Sequence, residues 1–446
     1  MVKVKVLSRN PDDYVRETKF DIHKVPRNYD PALHPFEAPR EYVRALNATK
    51  LERVFAKPFL GSLEGHRDSV HCMVKHPTSL STVLSGSCDG VVKIWNLSTR
   101  TCERTVNAHR GFVRGLCLDR TGQIFLSVGD DKSIKKWRTQ PRIGDAGQEP
   151  LDTVIGKNMY ISIDHHWKES KYATSGTQVD IWDESHADPI NSYTWGSDSI
   201  HHVKFNPVET YMLASCTQDR NIILYDTRGA APVRKVVLEM RTNTVAWNPM
   251  EAFMFTAANE DYNLYTFDMR RLDRAVNVHM DHVSAVLDVD YSPTGREFVS
   301  GSFDKTIRIF QTDKGHSREV YHTKRMQHVT CVRWSLDNKY ILSGSDEMNI
   351  RLWKANASEK LGKLSRREKA AVDYNARLKE KFQHHPQVKR ISRHRHVPSL
   401  IYKESKTIRI QKESQKRKEH NRRKHSKPGT VPFKAERKKH VVGEVE

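Results

Sequence analysis

The chain has 446 residues, 37% of them hydrophobic, and a net charge of +21. Residues 357–446 hold 27 Lys and Arg against 10 Asp and Glu, residues 1–50 hold 10 against 7, and the stretch between is close to neutral. No apolar run approaches the ~20 residues of a membrane helix and the first residues lack a signal-peptide core, so the reading is a soluble intracellular protein with no membrane partner, whose basic end meets a polyanion.

Residues 1–50 read as an arm. Pro26, Pro31, Pro35 and Pro39 keep its middle extended or turned, and Pro39 suits the first turn of a short helix over 40–48. Phe20, Tyr29, Leu33, Phe36 and Tyr42 are too many apolar groups for a plain leader, so the arm is expected to pack on a partner or on the rim of the next domain.

That domain, residues 51–356, is a repeat. Short apolar runs are split by turn residues, and an aromatic recurs at Trp95, Trp137, Trp182, Tyr225, Phe267, Phe310 and Trp353, every 42 to 45 residues. An Asp stands six residues before the aromatic at Asp89, Asp131, Asp219, Asp261 and Asp304. This is the period of a WD-repeat blade of four strands. The fold class is therefore all-β: a seven-bladed WD-repeat β-propeller, with the arm before it and a basic, largely helical tail after it. Blade seven has three strands before the tail, and residues 53–61 are expected to supply its fourth and close the ring.

The repeat's polar residues predict structural tetrads: His66, Ser85, Asp89 and Trp95 in blade one, and His109, Ser127, Asp131 and Trp137 in blade two. A buried polar set is tolerable when every member is satisfied. A Ser–His–Asp set also suggests nucleophilic catalysis, but here the Ser falls inside a strand and the set recurs, so no catalytic residue is assigned. Blades three, four and five lack the opening Gly-His. The paired histidines His165, His166, His201 and His202 do not show zinc-ligand spacing, and no G-x-x-x-x-G-K loop is present; no metal, cofactor or enzyme activity is expected. The six cysteines form no C-x-x-C pair and read as free thiols.

The tail, residues 357–446, opens with a capping box, Ser365 to Glu368. Ala371, Tyr374, Leu378 and Phe382 follow at helical spacing, predicting an amphipathic helix over 366–383 that docks on the propeller. A second helical pattern over 398–427 is nearly all polar beyond Ile410 and is expected to order on a partner or stay partly disordered. Its cluster Lys416, Arg417, Lys418, Arg422, Arg423 and Lys424 is the candidate RNA-binding and nuclear-localisation site.

Three segments together carry a family resemblance: DDYVRETKFDIHKVPRN (12–28) before the repeats, then REKAAVDYNARLKEKFQHHP (367–386) and HSKPGTVPFKAERKKHVV (425–442) after them. With the repeats they resemble the Sof-type nucleolar WD-repeat proteins, which carry a basic Sof domain behind a seven-bladed propeller. The resemblance implies a non-catalytic scaffold of the small-subunit processome. Such a scaffold acts in pre-rRNA processing and 40S biogenesis in the nucleolus of the nucleus. It binds pre-ribosomal RNA, the box C/D small nucleolar RNA particle and processome proteins, and is monomeric outside that particle. Vertebrate-type members are also described as substrate receptors of cullin-RING ubiquitin ligases, which implies a propeller adaptor as partner. Receptors of that class carry a W-D-x-R-like box at the end of a blade's third strand. Here Tyr225-Asp226-Thr227-Arg228 and Phe267-Asp268-Met269-Arg270 match it in consecutive blades. Two readings of Asp226, Arg228, Asp268 and Arg270 stay open: a rim arginine reaching the adaptor, or an Asp-x-Arg pair closed on itself.

Overall fold

A computed structural model describes residues 36–140, 149–196 and 199–445. The segment 12–28 that carries part of the family resemblance lies outside them, as does most of the turn-rich stretch after blade two. Among the described residues twenty-nine strands form seven sheets with antiparallel neighbours, one per blade, six of four strands and one of five. The blades are seven, and the recurring aromatic is fixed within its own blade by a hydrogen bond: Trp95, Trp137 and Trp353 each donate the indole N–H to a strand serine ten residues earlier, at 2.7, 3.0 and 2.9 Å. Tyr225 keeps the same link through its hydroxyl, 3.0 Å from Ser215. Large apolar clusters fill the spaces between successive sheets, as a sheet with two apolar faces requires.

The ring closes as the pattern requires, but with a shifted strand. Phe59–Glu64 pairs antiparallel with Asn349–Lys354, Leu63 opposite Ile350 and Glu64 opposite Asn349. Arg53 and Val54 belong instead to α1, Glu37–Val54, which is twice as long as the helix expected there. The physical reason is that nothing in 49–54 stops a helix: neither Gly nor Pro appears until Pro58. Charged groups on the inner strands tighten the closure. Asp288 and Asp290 of blade six accept from the Val332 and Trp334 N–H groups of blade seven (2.9 and 2.7 Å). Lys75 of blade one reaches Asp290 (3.0 Å) and the Trp334 carbonyl (3.1 Å), and Arg333 donates to the Met73 carbonyl (2.9 Å).

The chain forms two compact units. One joins α1 with α2, Arg366–Lys381, and α3, Pro386–Arg393. The capping box at Ser365 and Glu368 is present. The partner of the apolar stripe on α2 is α1, which corrects the expected docking on the propeller. Ala45 and Thr49 of α1 are buried, as are Leu378 and Val388 on the other helices. Tyr42 donates to Gln387 (2.6 Å) and meets the His385 and Phe382 rings, while Lys379–Glu52 and Lys381–Glu41 ion pairs flank the seam.

The other unit is the propeller with residues 394–445. Arg395 pairs with Glu319 of blade six (2.7 Å). The long helix α4, Ser399–His425, follows, with Ile401 buried, Ser405, Ile408 and Lys412 half-buried on the same face, and the Lys412 ammonium 3.8 Å from the Met280 sulfur of blade five. A turn at Pro428-Gly429 returns the chain to α5, Glu436–Lys439. The last strand, Val441–Val445, then adds a fifth member to blade four by pairing with Pro232–Leu238. The tail thus wraps the rim across blades six, five and four, and its final strand covers an open sheet edge.

Candidate protein and nucleic-acid interfaces

The polar network of the repeat is complete in blade two. His109 Nδ1 lies 2.8 Å from Asp131 and its Nε2 2.8 Å from Ser127 Oγ, which also accepts from Trp137. With Nδ1–H given to the carboxylate, the neutral ring accepts the serine O–H at Nε2. Burial pushes the His109 pKa down against the pull of Asp131. Ser127 is 0% exposed, so its hydroxyl meets no substrate. Blade one corrects the expected tetrad. His66 bonds Ser85 (2.6 Å), but its Nδ1 has no partner among the described residues. Asp89 accepts instead from the Val91 and Arg67 N–H groups at 3.0 and 3.4 Å. Burial holds the His66 pKa down at about 4. The residue two after the Asp accounts for the difference. In blade two Ser133 pins Asp131 through both its N–H and its hydroxyl; Val91 has no hydroxyl. Blade six holds a set that the opening Gly-His pattern missed. His282 bonds Asp304 (2.9 Å) and Ser300 (2.7 Å), and Thr306 pins the Asp. The available signal was the 22-residue spacing from His to Asp, the same as in blade two.

His165 also sits in a cluster that the sequence reading missed. Its Nδ1–H donates to the His166 carbonyl (2.7 Å) and its Nε2–H to Glu184 (2.8 Å), with Asp119 at 3.8 Å; Lys136 donates to the other Glu184 oxygen (2.6 Å). The donor types suit a metal, but both ring nitrogens already donate and an ammonium fills the cation position. Burial opposes the imidazolium, yet the Glu184 hydrogen bond and the His166 carbonyl outweigh it, so the His165 pKa is raised. The His165 bond, against burial, holds Glu184 down at about 2. A raised histidine stabilises the fold fully below its ordinary value near 6.5 and loses that contribution as pH rises through its folded value; a depressed carboxylate contributes above its ordinary 4.5 and loses it as pH falls toward 2. The network is therefore whole between roughly pH 4.5 and 6.5. The gap in melting temperature between wild type and His165→Gln is expected to be widest in that window and to narrow at higher pH. A gap that stays constant up to pH ~9 would reject the assignment.

The two Asp-x-Arg boxes have the same geometry. Arg228 Nε and Nη2 donate to the two Asp226 oxygens at 3.0 and 2.8 Å, and Arg270 does the same to Asp268 at 3.0 and 2.8 Å. Each Asp also accepts its arginine's own backbone N–H at 3.0 Å. Each guanidinium lies over an aromatic ring, Tyr211 at 4.8 Å and Phe253 at 4.3 Å. Those rings sit in the loops before the second strands, at the end of the blade where the third strand finishes. The pairs are closed on themselves, yet Arg228 and Arg270 remain 66% and 61% exposed. Hydrogen bonding to the arginines holds both aspartates below their usual pKa, so the ion pairs persist. A bidentate carboxylate uses Nε–H and one Nη2–H, so the other guanidinium donors of each arginine face outward in a fixed plane. Val208, Met250 and Trp167 are exposed in loops at the same end of blades four, five and three.

The candidate RNA cluster lies on α4. Lys416, Arg417, Lys418, Arg422 and Lys424 are exposed. Arg423 differs: its guanidinium covers the Phe433 ring at 4.8 Å and approaches Glu419 at 3.9 Å. It holds the returning chain, a role invisible in a run of basic residues. No helix among the described residues is long and apolar enough to cross a membrane.

A Sof1-like domain matches residues 355–441, and WD-domain repeats match 57–96, 100–138, 187–226, 274–311 and 314–354. The chain is 70% identical to DDB1- and CUL4-associated factor 13 of Mus musculus and 69% identical to that of Homo sapiens, in each case over the whole of both chains. It belongs to the DDB1- and CUL4-associated factor 13 family. The similarity extends to Dictyostelium discoideum, whose protein of that name is 53% identical over 90% of this chain and 91% of its own. The WD40 β-propeller domain of Doa1 superposes with a TM-score of 0.57 over 67% of this chain and 96% of that domain, at 20% identity, which shows the fold alone. The Sof1-like match covers the helices of the tail and ends at Val441, where the last strand begins, and the five WD matches fall on blades one, two, four, six and seven.

Proposed function

We propose that this chain is a non-catalytic scaffold of the small-subunit processome, acting in pre-rRNA processing and 40S subunit biogenesis in the nucleolus. The observation that carries this reading is α4: a helix of 27 residues, about 40 Å long at 1.5 Å per residue, bearing eight exposed Lys and Arg side chains, five of them between 416 and 424, inside the Sof1-like match. Such a helix contacts RNA through phosphates and carries little sequence information. The propeller supplies the surfaces for neighbouring proteins. Crosslinking of RNA to the protein in cells, with the crosslinked residues mapped, tests the reading: it expects pre-ribosomal or box C/D RNA on residues of the tail. Crosslinks to unrelated RNA alone would overturn it.

A second role is favoured by the duplicated Asp–Arg pairs together with the name of the relatives, which associates those proteins with DDB1 and CUL4. Under this reading Arg228 and Arg270 present their outward donors to acidic or carbonyl groups of the ligase adaptor, and the adjacent exposed apolar loops bury against it. Arg228→Ala with Arg270→Ala is expected to abolish co-purification of the adaptor while leaving melting temperature and particle association intact. Solvent-exposed pairs of this kind add little to stability, so a large loss of folded protein would instead make the pairs structural.

A further inference from the structure

Blades four and five differ where their Asp–Arg pairs end. The loop to the outer strand covers 227–231 in blade four and 269–276 in blade five. The longer loop is anchored: Leu272 and Ala275 are buried in the core cluster that spans the two blades, and the Arg271 N–H donates to the Asp268 carbonyl at 2.9 Å. It leaves three arginines facing outward. Arg270, Arg271 and Arg274 surround an open groove of about 490 Å³, completed by Asp268 and Val276. Asp268 is engaged by Arg270, and the Arg271 and Arg274 guanidinium groups have no ion-pair partner among the described residues.

The tail touches this loop directly. The Ala275 N–H donates to the Arg437 carbonyl (3.0 Å) and Lys438 pairs with Asp273 (3.3 Å), while Lys439 reaches Glu419 of α4 at 3.3 Å. The basic cluster of α4, the short helix α5 and the groove of blade five are therefore linked, Lys438 and Lys439 being engaged by Asp273 and Glu419 while the Arg437 side chain stays exposed between the cluster and the groove.

We propose that these three elements form a continuous RNA path, in which the phosphate backbone passes from α4 over Arg437 and is gripped in the blade-five groove by Arg271 and Arg274. The proposal rests on the scaffold reading above and adds a site on the propeller to it. Three observations favour RNA as the occupant. Guanidinium forks match phosphate oxygens in pairs. Holding several like charges close together without partners is unfavourable until a polyanion neutralises them. The groove has no aromatic wall for base stacking, so it reads backbone. An acidic protein segment would need the groove alone and would leave the connection to α4 unused.

The test uses the full chain and a fluorescently labelled single-stranded RNA, with binding measured over a series of salt concentrations. Arg271→Gln with Arg274→Gln is expected to reduce the log–log salt slope by roughly 1.4, two contacts at roughly 0.7 each, and Arg437→Gln by roughly 0.7. Arg271→Lys with Arg274→Lys keeps the charges and should keep most of the slope. Wild-type affinity and slope in the double Gln variant, while Gln replacement of the α4 cluster lowers both, would overturn the groove and leave the scaffold reading standing. No salt-dependent binding by the wild-type chain would overturn the scaffold reading and the path with it.

Discussion

Replacing Lys416, Arg417, Lys418, Arg422 and Lys424 with Gln is expected to remove the greater part of the proposed RNA binding and to flatten its salt dependence. On a single strand each lost phosphate contact takes roughly 0.7 from the log–log slope, so the five together remove roughly 3.5. Between 50 and 200 mM salt that corresponds to about a hundred-fold difference in how steeply wild type and variant lose affinity. The helix itself should survive, because Gln and Lys have similar helix propensity and these side chains are exposed; circular dichroism checks this. Arg423→Gln alone behaves differently. Its stack on Phe433 and its approach to Glu419 hold the turn between α4 and α5, so its loss loosens the return of the tail and raises proteolytic sensitivity near Pro428-Gly429 with a smaller direct effect on the slope. Retention of the wild-type slope by the five-residue variant would assign RNA binding elsewhere. Because the same run reads as a nuclear localisation signal, binding is scored on purified protein and localisation separately.

The ring was legible because its signals are local. Trp95 and Ser85, or Trp353 and Ser343, are ten residues apart across a single turn, and their hydrogen bond needs no information from the rest of the chain. The Asp–Arg boxes were legible for the same reason, since Asp226 and Arg228 bond two residues apart. What escaped was long-range. Val441–Val445 pairs with Pro232–Leu238 across some two hundred residues of sequence, and a five-residue strand with a Gly at its centre carries almost no periodicity of its own. The partner of α2 escaped too. Leu378 announces an apolar stripe, but only the fold places Ala45 and Thr49 of α1 against that stripe's helix bundle rather than a blade. Arg271 and Arg274 look like ordinary loop charges until Leu272 and Ala275 are seen buried beneath them. The missing His66–Asp89 bond turns on one hydroxyl, present at Ser133 and absent at Val91, a detail that spacing does not report.

Two chains, one beginning at Ala56 and one at Gly65, both lack α1, so a difference between them isolates Phe59–Glu64. The chain from Ala56 keeps the four-stranded seventh blade. The chain from Gly65 leaves Asn349–Lys354 as an open edge and uncovers the apolar cluster in which Leu63 packs with Val83, Trp95, Ile350 and Leu352. Losing the burial of Leu63 alone removes about 2–3 kcal/mol, and each ladder hydrogen bond contributes about 1 kcal/mol more. Against a total of about 5–15 kcal/mol, the sum is a large fraction of the fold's stability, and an open flat edge invites pairing between copies. The inner-strand bonds from Lys75 to Asp290 and from Arg333 to the Met73 carbonyl remain in both chains, so the shorter one should still form a ring, but a frayed one. The expected result is a monomer peak from the Ala56 chain on size exclusion, and a lower melting temperature with much of the material in aggregates from the Gly65 chain. Equal monomer yield and equal melting temperature would mean that the inner strands and the wrapped tail hold the ring without its outer clasp.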